Sequence, residues 1–292
     1  MPTFDTPEPI SVDVELGVGD IRIEASDRAD TIVEVRPSDP TKTVDRVAAE
    51  DTRAEYASGH LSVNAPGGGW RGWLPRRSGS IDVTIHLPAG SQVHAEAGVA
   101  AFRSSGRIGA CRCKLGVGDV QLDEAGPVDV KTGFGDVTIE RAVGRSEIVT
   151  GTGAVRIGSI GGPGIVKNSN GDTWIGEVVG DARVRAANGR ISIDRAHEGV
   201  VAKTANGAVR LGEVARGVAV AESAAGEIEV GVRDGVSAWL DLHTKFGEVQ
   251  NDLEASGGPD ASEDSVEVRA STSYGNIAVR RSFASHAGSD AP

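Results

Sequence analysis

The apolar residues of this chain recur at two nested periods. Within short stretches they alternate, as in Val12, Val14 and Leu16, then Ile21 and Ile23, and later Val120 with Leu122 and Val137 with Ile139. Alternation puts every second side chain on one face, which predicts strands with one buried face. The longer period emerges when the glycine ahead of each apolar pair is aligned: Gly118, Gly135, Gly153, Gly171, Gly189, Gly207 and Gly226 succeed one another at intervals of 17, 18, 18, 18, 18 and 19 residues. Two residues after these glycines stand Val120, Val137, Val155, Thr173, Ile191, Val209 and Ile228, and two further on stand Leu122, Ile139, Ile157, Ile175, Ile193, Leu211 and Val230. Five residues before each glycine is another apolar column, Cys113, Val130, Ile148, Val166, Val184, Ala202 and Ala221. Each unit therefore predicts strand, glycine turn, strand, loop.

A strand pair of ~18 residues cannot cover its own edges, whereas stacked units pair those edges and share one core. The expected architecture is an all-β, single-domain β-solenoid over 96–281, with a disordered tail over 282–292. Gly98 opens a degenerate rung, with Ala100 at the glycine position, and the motifs around Gly247 and Gly275 continue the stack in sequence order. Residues 254–264, EASGGPDASED, interrupt that continuation as a polar surface loop. Residues 1–95 predict a capping subdomain: a first hairpin around GVGD at 17–20, strands at 59–63 and 79–88, and a helix over 40–56. Asp39 is the expected N-cap of that helix, with Pro40 at its first position and Val44, Val47, Ala48 and Ala54 as a weak apolar stripe.

The tandem G-D-V-x-[LIV] rungs, the opening VELGVGDIRIEA and the segment KTANGAVRLGEV resemble domain of unknown function 4097, a bacterial adhesin-like family of β-strand repeats. The resemblance runs from about Ile10 to Arg280. It implies a β-solenoid, and the family supplies no catalytic residues to carry over.

Composition narrows the function classes. Gly numbers 40 and aromatics are 4% of the chain, which agrees with many short strands and tight turns. A net charge of -12 argues against a nucleic-acid or anionic-membrane surface, since those partners are held by Lys and Arg. The N-terminal stretch lacks a secretory pattern and no apolar run reaches the ~18 residues of a membrane span, so the expected location is cytoplasmic. Cys111 and Cys113, at i and i+2, would sit on one strand face about 6 to 7 Å apart, too close in sequence for an ordinary disulfide between elements, which agrees with a reducing compartment.

The glycines invite three chemical readings. A phosphate loop requires a helix and a Lys-Ser or Lys-Thr after the glycine, and neither follows these glycines. A calcium roll repeats every nine residues with an Asp in nearly every turn, whereas here Asp119, Asp136 and Asp172 share their column with Ala154, Arg190 and Ala208. Turn formation is the reading that remains, with Asn170, Asn188 and Asn206 as Asn-Gly reversals able to stack as a ladder. No cofactor or metal is expected, because the two cysteines and six histidines lack ligand spacing, and no catalytic residue can be named. One ordered charge feature is a file of Lys114, Lys131, Lys167, Arg185 and Lys203, readable as a solvated face or as a contact for an acidic partner.

The stretch GGGWRGWLPRRSG departs from rung chemistry. Trp70, Arg71, Trp73, Arg76 and Arg77 are the candidate partner-binding residues, because exposed Trp and Arg are common anchors of interfaces. Plugging the open end of the solenoid is the alternative role. The functional expectation is a non-catalytic cytosolic scaffold or protein-binding module with a protein partner. A self-assembling, adhesin-like filament is the alternative, with weak self-association as its milder form, and a polysaccharide-active enzyme is the third class.

Overall fold

The computed structural model describes residues 1–66, 79–254 and 265–282. The candidate contact residues Trp70, Arg71, Trp73, Arg76 and Arg77, nearly all of the 254–264 loop, and the tail beyond Ser282 lie outside the described residues. Ser282 itself is anchored, its amide donating to Val232 O at 2.8 Å. The chain divides into two compact units, Met1–Gly171 and Asp172–Pro292.

The first unit contains β1 (Thr3–Asp5), β2 (Ser11–Ser26), β3 (Asp30–Pro37), α1 (Thr43–Asp51), β4 (Arg53–Ala57), β5 (His60–Asn64), β6 (Ser80–Pro88) and β7 (Gln92–Ile108). It continues with β8 (Cys111–Val117), β9 (Val120–Ala125), β10 (Val128–Phe134), β11 (Val137–Ala142), β12 (Ser146–Thr152), β13 (Val155–Ile160) and β14 (Gly164–Asn170). Successive rungs pair in parallel along two walls. One wall runs from β7 through β8, β10 and β12 to β14, and the other from β7 through β9 and β11 to β13. The column Ala95, Cys113, Val130, Ile148 and Val166 is in register and buried, as the aligned sequence requires. Each fully buried side chain such as Ile139 or Ile157 contributes about 1.5–3 kcal/mol relative to exposure.

The expected first hairpin is instead one bent strand. β2 pairs with β7 along nearly its whole length, and on its other edge with β5 and then β6, all in parallel. The order of rungs is therefore not the order of the chain: β5 and β6 lie outside β2. Antiparallel strands then end the parallel stack, β4 on β5, β3 on β6 and β1 on β3. This is the capping region.

The helix is shorter than the expected 40–56. Asp39 does not cap it, because its Oδ1 accepts from the amide and hydroxyl of Thr41 at 3.0 and 2.6 Å and closes a turn one step earlier. Its expected last residues, 53–56, belong instead to β4, which gains a ladder with β5. The buried face also differs: Asp45 and Ala48 are buried, Val44 and Val47 are 38% and 46% exposed, and Asp45 Oδ1 accepts from the amide of Ser80 at 2.9 Å.

The second unit contains β15 (Thr173–Val178), β16 (Ala182–Asn188), β17 (Ile191–Ala196), β18 (Val200–Asn206), β19 (Val209–Val214) and β20 (Gly217–Ala225). β21 (Ile228–Val232), β22 (Ser237–Phe246), β23 (Val249–Asn251), β24 (Ser265–Tyr274) and β25 (Ile277–Arg281) complete it. Its walls are β16, β18, β20, β24, β22 and β15, β17, β19, β21, β25, β23, all joined in parallel. The rungs around Gly247 and Gly275 do not continue in sequence order. β24 and β25 insert between β20/β21 and β22/β23, so the later segment lies inside the earlier one. The sequence spacing of 28 between these glycines misleads because Gly275 stacks on Gly226.

The repeated glycine is a corner, not a hairpin reversal. At Gly135 φ is +142° and at Gly207 it is +145°, a region essentially confined to glycine. A Cβ on Gly135 would overlap the carbonyl oxygen of Gly118, and one on Gly207 that of Gly189. The chain turns between walls here, and neighbouring rungs approach too closely for any side chain.

Candidate functional site

The corners satisfy their own polar groups. Asp119 Oδ1 accepts from the amide of Asp136 at 2.9 Å, Asp136 Oδ1 from that of Ala154 at 2.7 Å, and Asp172 Oδ1 from that of Arg190 at 2.8 Å. Each acid thus clamps the next rung, which explains why Ala or Arg can follow Asp in the column. Among the described residues no group of three or more His, Cys, Asp or Glu side chains is placed to hold a metal ion. The Asn ladder is present where Asn206 Nδ2 donates to Asn188 Oδ1 at 2.9 Å.

A second polar column escaped the sequence reading. Three residues before their glycines, Thr132, Thr150, Asn168, Thr204, Ser223 and Thr272 each donate to a glycine carbonyl of the adjacent rung, at 2.9 to 3.5 Å. The signal was available as a column of small hydroxyl or amide residues in the same alignment. Its role is to cap carbonyls that glycine corners leave without a ladder partner.

Cys111 and Cys113 are free and buried in the inward face. Burial, with the Asp129 charge as a lesser cause, pushes the Cys111 thiol up to about 12, and burial likewise raises Cys113 well above its ordinary value. Both are therefore protonated and poor nucleophiles near neutrality. Three histidines pair with carboxylates near these walls: His60 Nε2 and His94 Nδ1 lie 3.2 Å from the two oxygens of Asp13, and His197 Nε2 lies 2.7 Å from Glu177 Oε1. The hydrogen bond from His197 is the main cause that holds the Glu177 carboxyl below its usual range.

The regular outer face of the first unit is broken by a groove of about 400 Å³ across the starts of β7, β8, β10 and β12. Ala110 and Pro127 occupy its floor positions, between Gln92 and Arg145, where small side chains leave space. One rim is the outward column His94, Arg112, Asp129 and Glu147, which the rung register places side by side. Ser11 closes the end at β2. The groove therefore offers two guanidinium groups, two carboxylates and neutral donors around an apolar floor. Two buried atoms on its rim, His94 Nε2 and Asp129 Oδ1, have no hydrogen-bond partner. Glu96 and Lys131 come within ion-pair range of them, at 3.5 and 3.3 Å, without hydrogen-bond geometry. Ser11 and the Asp13–His94 pair share this neighbourhood, yet the Ser11 hydroxyl makes no hydrogen bond to His94 among the described residues, so the nucleophile–base contact of acyl transfer is missing.

A family model for Toastrack DUF4097 matches residues 8–290. The chain belongs to that family. Solved structures similar to this Toastrack chain include a "putative adhesin" from Bacteroides fragilis, at 10% identity, 95% of each chain covered and a TM-score of 0.41. A "putative lipid binding protein" from Parabacteroides distasonis is 11% identical over 95% of each chain, with a TM-score of 0.37. A second "putative adhesin", from Parabacteroides merdae, is 11% identical over 95% of this chain and 94% of its own, with a TM-score of 0.36. A search of curated proteins finds no match.

The expected basic file is only partly realised in this Toastrack chain. In the first unit Lys114 and Lys131 are register neighbours, but Val149 separates Lys131 from Lys167. In the second unit Arg185 neighbours Lys203, and Glu222 then ends the file, its Oε2 2.8 Å from Lys203 Nζ. Among the described residues no helix is long and apolar enough to cross a membrane.

Proposed function

We propose that this Toastrack chain is a non-catalytic, protein-binding β-solenoid, and that its first unit holds an extended polypeptide segment in the groove at β7, β8, β10 and β12. The observation that carries this reading is a groove that presents both charge signs and has on its rim two buried polar atoms, His94 Nε2 and Asp129 Oδ1, that make ion-pair contacts with Glu96 and Lys131 but no hydrogen bond. Leaving such atoms without a hydrogen bond costs about 1–3 kcal/mol each, a cost that an amide or carbonyl of a bound chain would remove. Protonated cysteines and the missing Ser11–His94 contact support the non-catalytic part. A cytoplasmic setting and a scaffolding role belong to the same proposal, as does contact through Trp70, Arg71, Trp73, Arg76 and Arg77, which rests on composition alone.

The test places a photo-crosslinking residue at Gln92, with Arg156 as a control position on the outer face away from the groove, in cells that express the protein natively. A discrete polypeptide should be captured from Gln92 only, and Arg112→Ala with Arg145→Ala should remove it without changing thermal melting. The same capture from Arg156, or its survival in the double variant, sinks the groove reading. Loss of the partner on Trp70→Ala with Trp73→Ala, at unchanged melting, would assign contact to that segment.

A further inference from the structure

The second unit ends on a strand whose outer edge has no partner among the described residues. β22 pairs with β24 alone. In the regular rungs both the strand-start carbonyl and the carbonyl before the corner glycine accept from the rung before, as Pro127 O does from Cys111 and Phe134 O from Gly118, so the parity of inward backbone groups shifts within each strand. In β22 Phe246 O likewise accepts from Gly275, and the register skips Lys245. Ahead of that skip Leu240, Leu242 and Thr244 present theirs to the open edge, because neighbouring residues of a strand point opposite ways. An edge of this kind is a template for another strand.

The side chains at this end also lack cover. In the inward column Val268 and Ala270 of β24 are buried, while their register neighbours Leu240 and Leu242 of β22 are half-exposed. Val249 is 46% and Phe246 64% exposed, whereas Ile277, next to Val249 in the ladder, is buried. Phe246 and Tyr274 stack with centroids 5.0 Å apart, and Trp239 stands 61% exposed on the outer face. Leu240, Leu242 and Val249 give this rung a half-exposed apolar face where the regular rungs are buried, whereas Phe246 shares its exposed column with Tyr274 and corresponds to the exposed Phe134 of the first unit.

We infer that two copies of this chain join through β22, edge to edge and antiparallel, about a two-fold axis. The sequence of the strand is complementary to itself in that direction. With Leu242 on the axis, Asp241 faces the partner's His243 and Trp239 faces the partner's Lys245. With His243 on the axis, Asp241 faces the partner's Lys245. Both registers keep apolar residues together, Leu240 facing either the partner's Thr244 or the partner's Phe246. Registers centred on Asp241 or on Lys245 set like charges opposite one another, which is unfavourable in a cross-strand pair. A two-fold interface of this type closes as a dimer and does not propagate. At the other end of the chain, antiparallel strands β1, β3 and β4 already terminate the parallel stack. The inference is independent of the groove in the first unit.

Sedimentation equilibrium of the full chain over about a hundredfold concentration range tests it. The parent protein should pass from monomer to dimer. Leu242→Pro removes an edge amide without touching a β22–β24 hydrogen bond and should abolish the dimer. Asp241→Lys, on an exposed side chain, should weaken it by about tenfold or more, at unchanged melting temperature. Adding His243→Asp to Asp241→Lys should restore association if Leu242 lies on the axis, and adding Lys245→Asp should do so if His243 does. A parent that stays monomeric throughout overturns the inference, as do dimers that persist in both single variants or a loss that neither charge swap repairs. If the proline variant fails to fold, the charge swaps still decide.

Discussion

Replacing Gly135 by alanine separates the two demands that each corner makes on its residue. The first is conformational: φ of +142° lies where a side chain costs about 1–3 kcal/mol. The second is spatial, since the new Cβ would overlap Gly118 O, a backbone atom that cannot rotate away. Separating the rungs locally would stretch the bonds Gly118 N to Phe134 O at 2.7 Å, Val120 N to Asp136 O at 2.9 Å and Asp136 N to Asp119 Oδ1 at 2.9 Å. At about 1 kcal/mol each, these bring the expected loss to about 4–6 kcal/mol, a large share of a typical domain's stability. Gly59 supplies the control. It also has positive φ, at +78°, in the turn between β4 and β5, but a Cβ there would meet nothing within 4 Å. Gly59→Ala should cost only about 1 kcal/mol. Urea unfolding of both variants measures the difference directly. Equal losses at the two positions would show that close approach of the rungs contributes nothing, and the account of the repeated glycine would fail.

Ile191→Asp should unfold the second unit, because it places an unpaired carboxylate at a fully buried position between Thr173 and Val209, and unchanged thermal melting would refute the inward assignment of that column. Millimolar calcium should leave the melting temperature unchanged, since the carboxylates of Asp119 and Asp136 are engaged by backbone amides of the next rung; a rise of several degrees would contradict this. The Cys111 thiol has a folded value near 12 against 9.0 in the open chain, so its contribution is intact below pH 9 and is lost as pH rises toward 12, at about 1.4 kcal/mol per unit. Alkaline urea titrations should show at least that slope, since Cys113 is raised as well, and Cys111→Ala should reduce it. Glu177 is held below 4.5, so the stability it adds is intact above pH 4.5 and is lost as pH falls below that value; Glu177→Gln should remove this part of the acid limb, and an unchanged acid profile would refute it.

The sequence by itself determined the rung. Alternation placed Cys113, Val130 and Val184 inward, and the glycine spacing located the corners, because both features follow from the geometry of a few consecutive residues. The helix was misjudged at both ends because local capping and propensity compete there with strand pairing from residues 60–64. Only the tertiary structure decided the order of rungs at the two ends, where β5 and β6 lie outside β2 and where β24 and β25 lie inside β22. Rung edges present the same backbone groups, so which edge a rung selects depends on contacts between residues far apart in the chain. The Asp clamps, the carbonyl-capping Thr and Asn column and the groove share that origin: each is made by side chains of different rungs. A repeat read along one chain states what each rung contains, and stacking states what lies beside it.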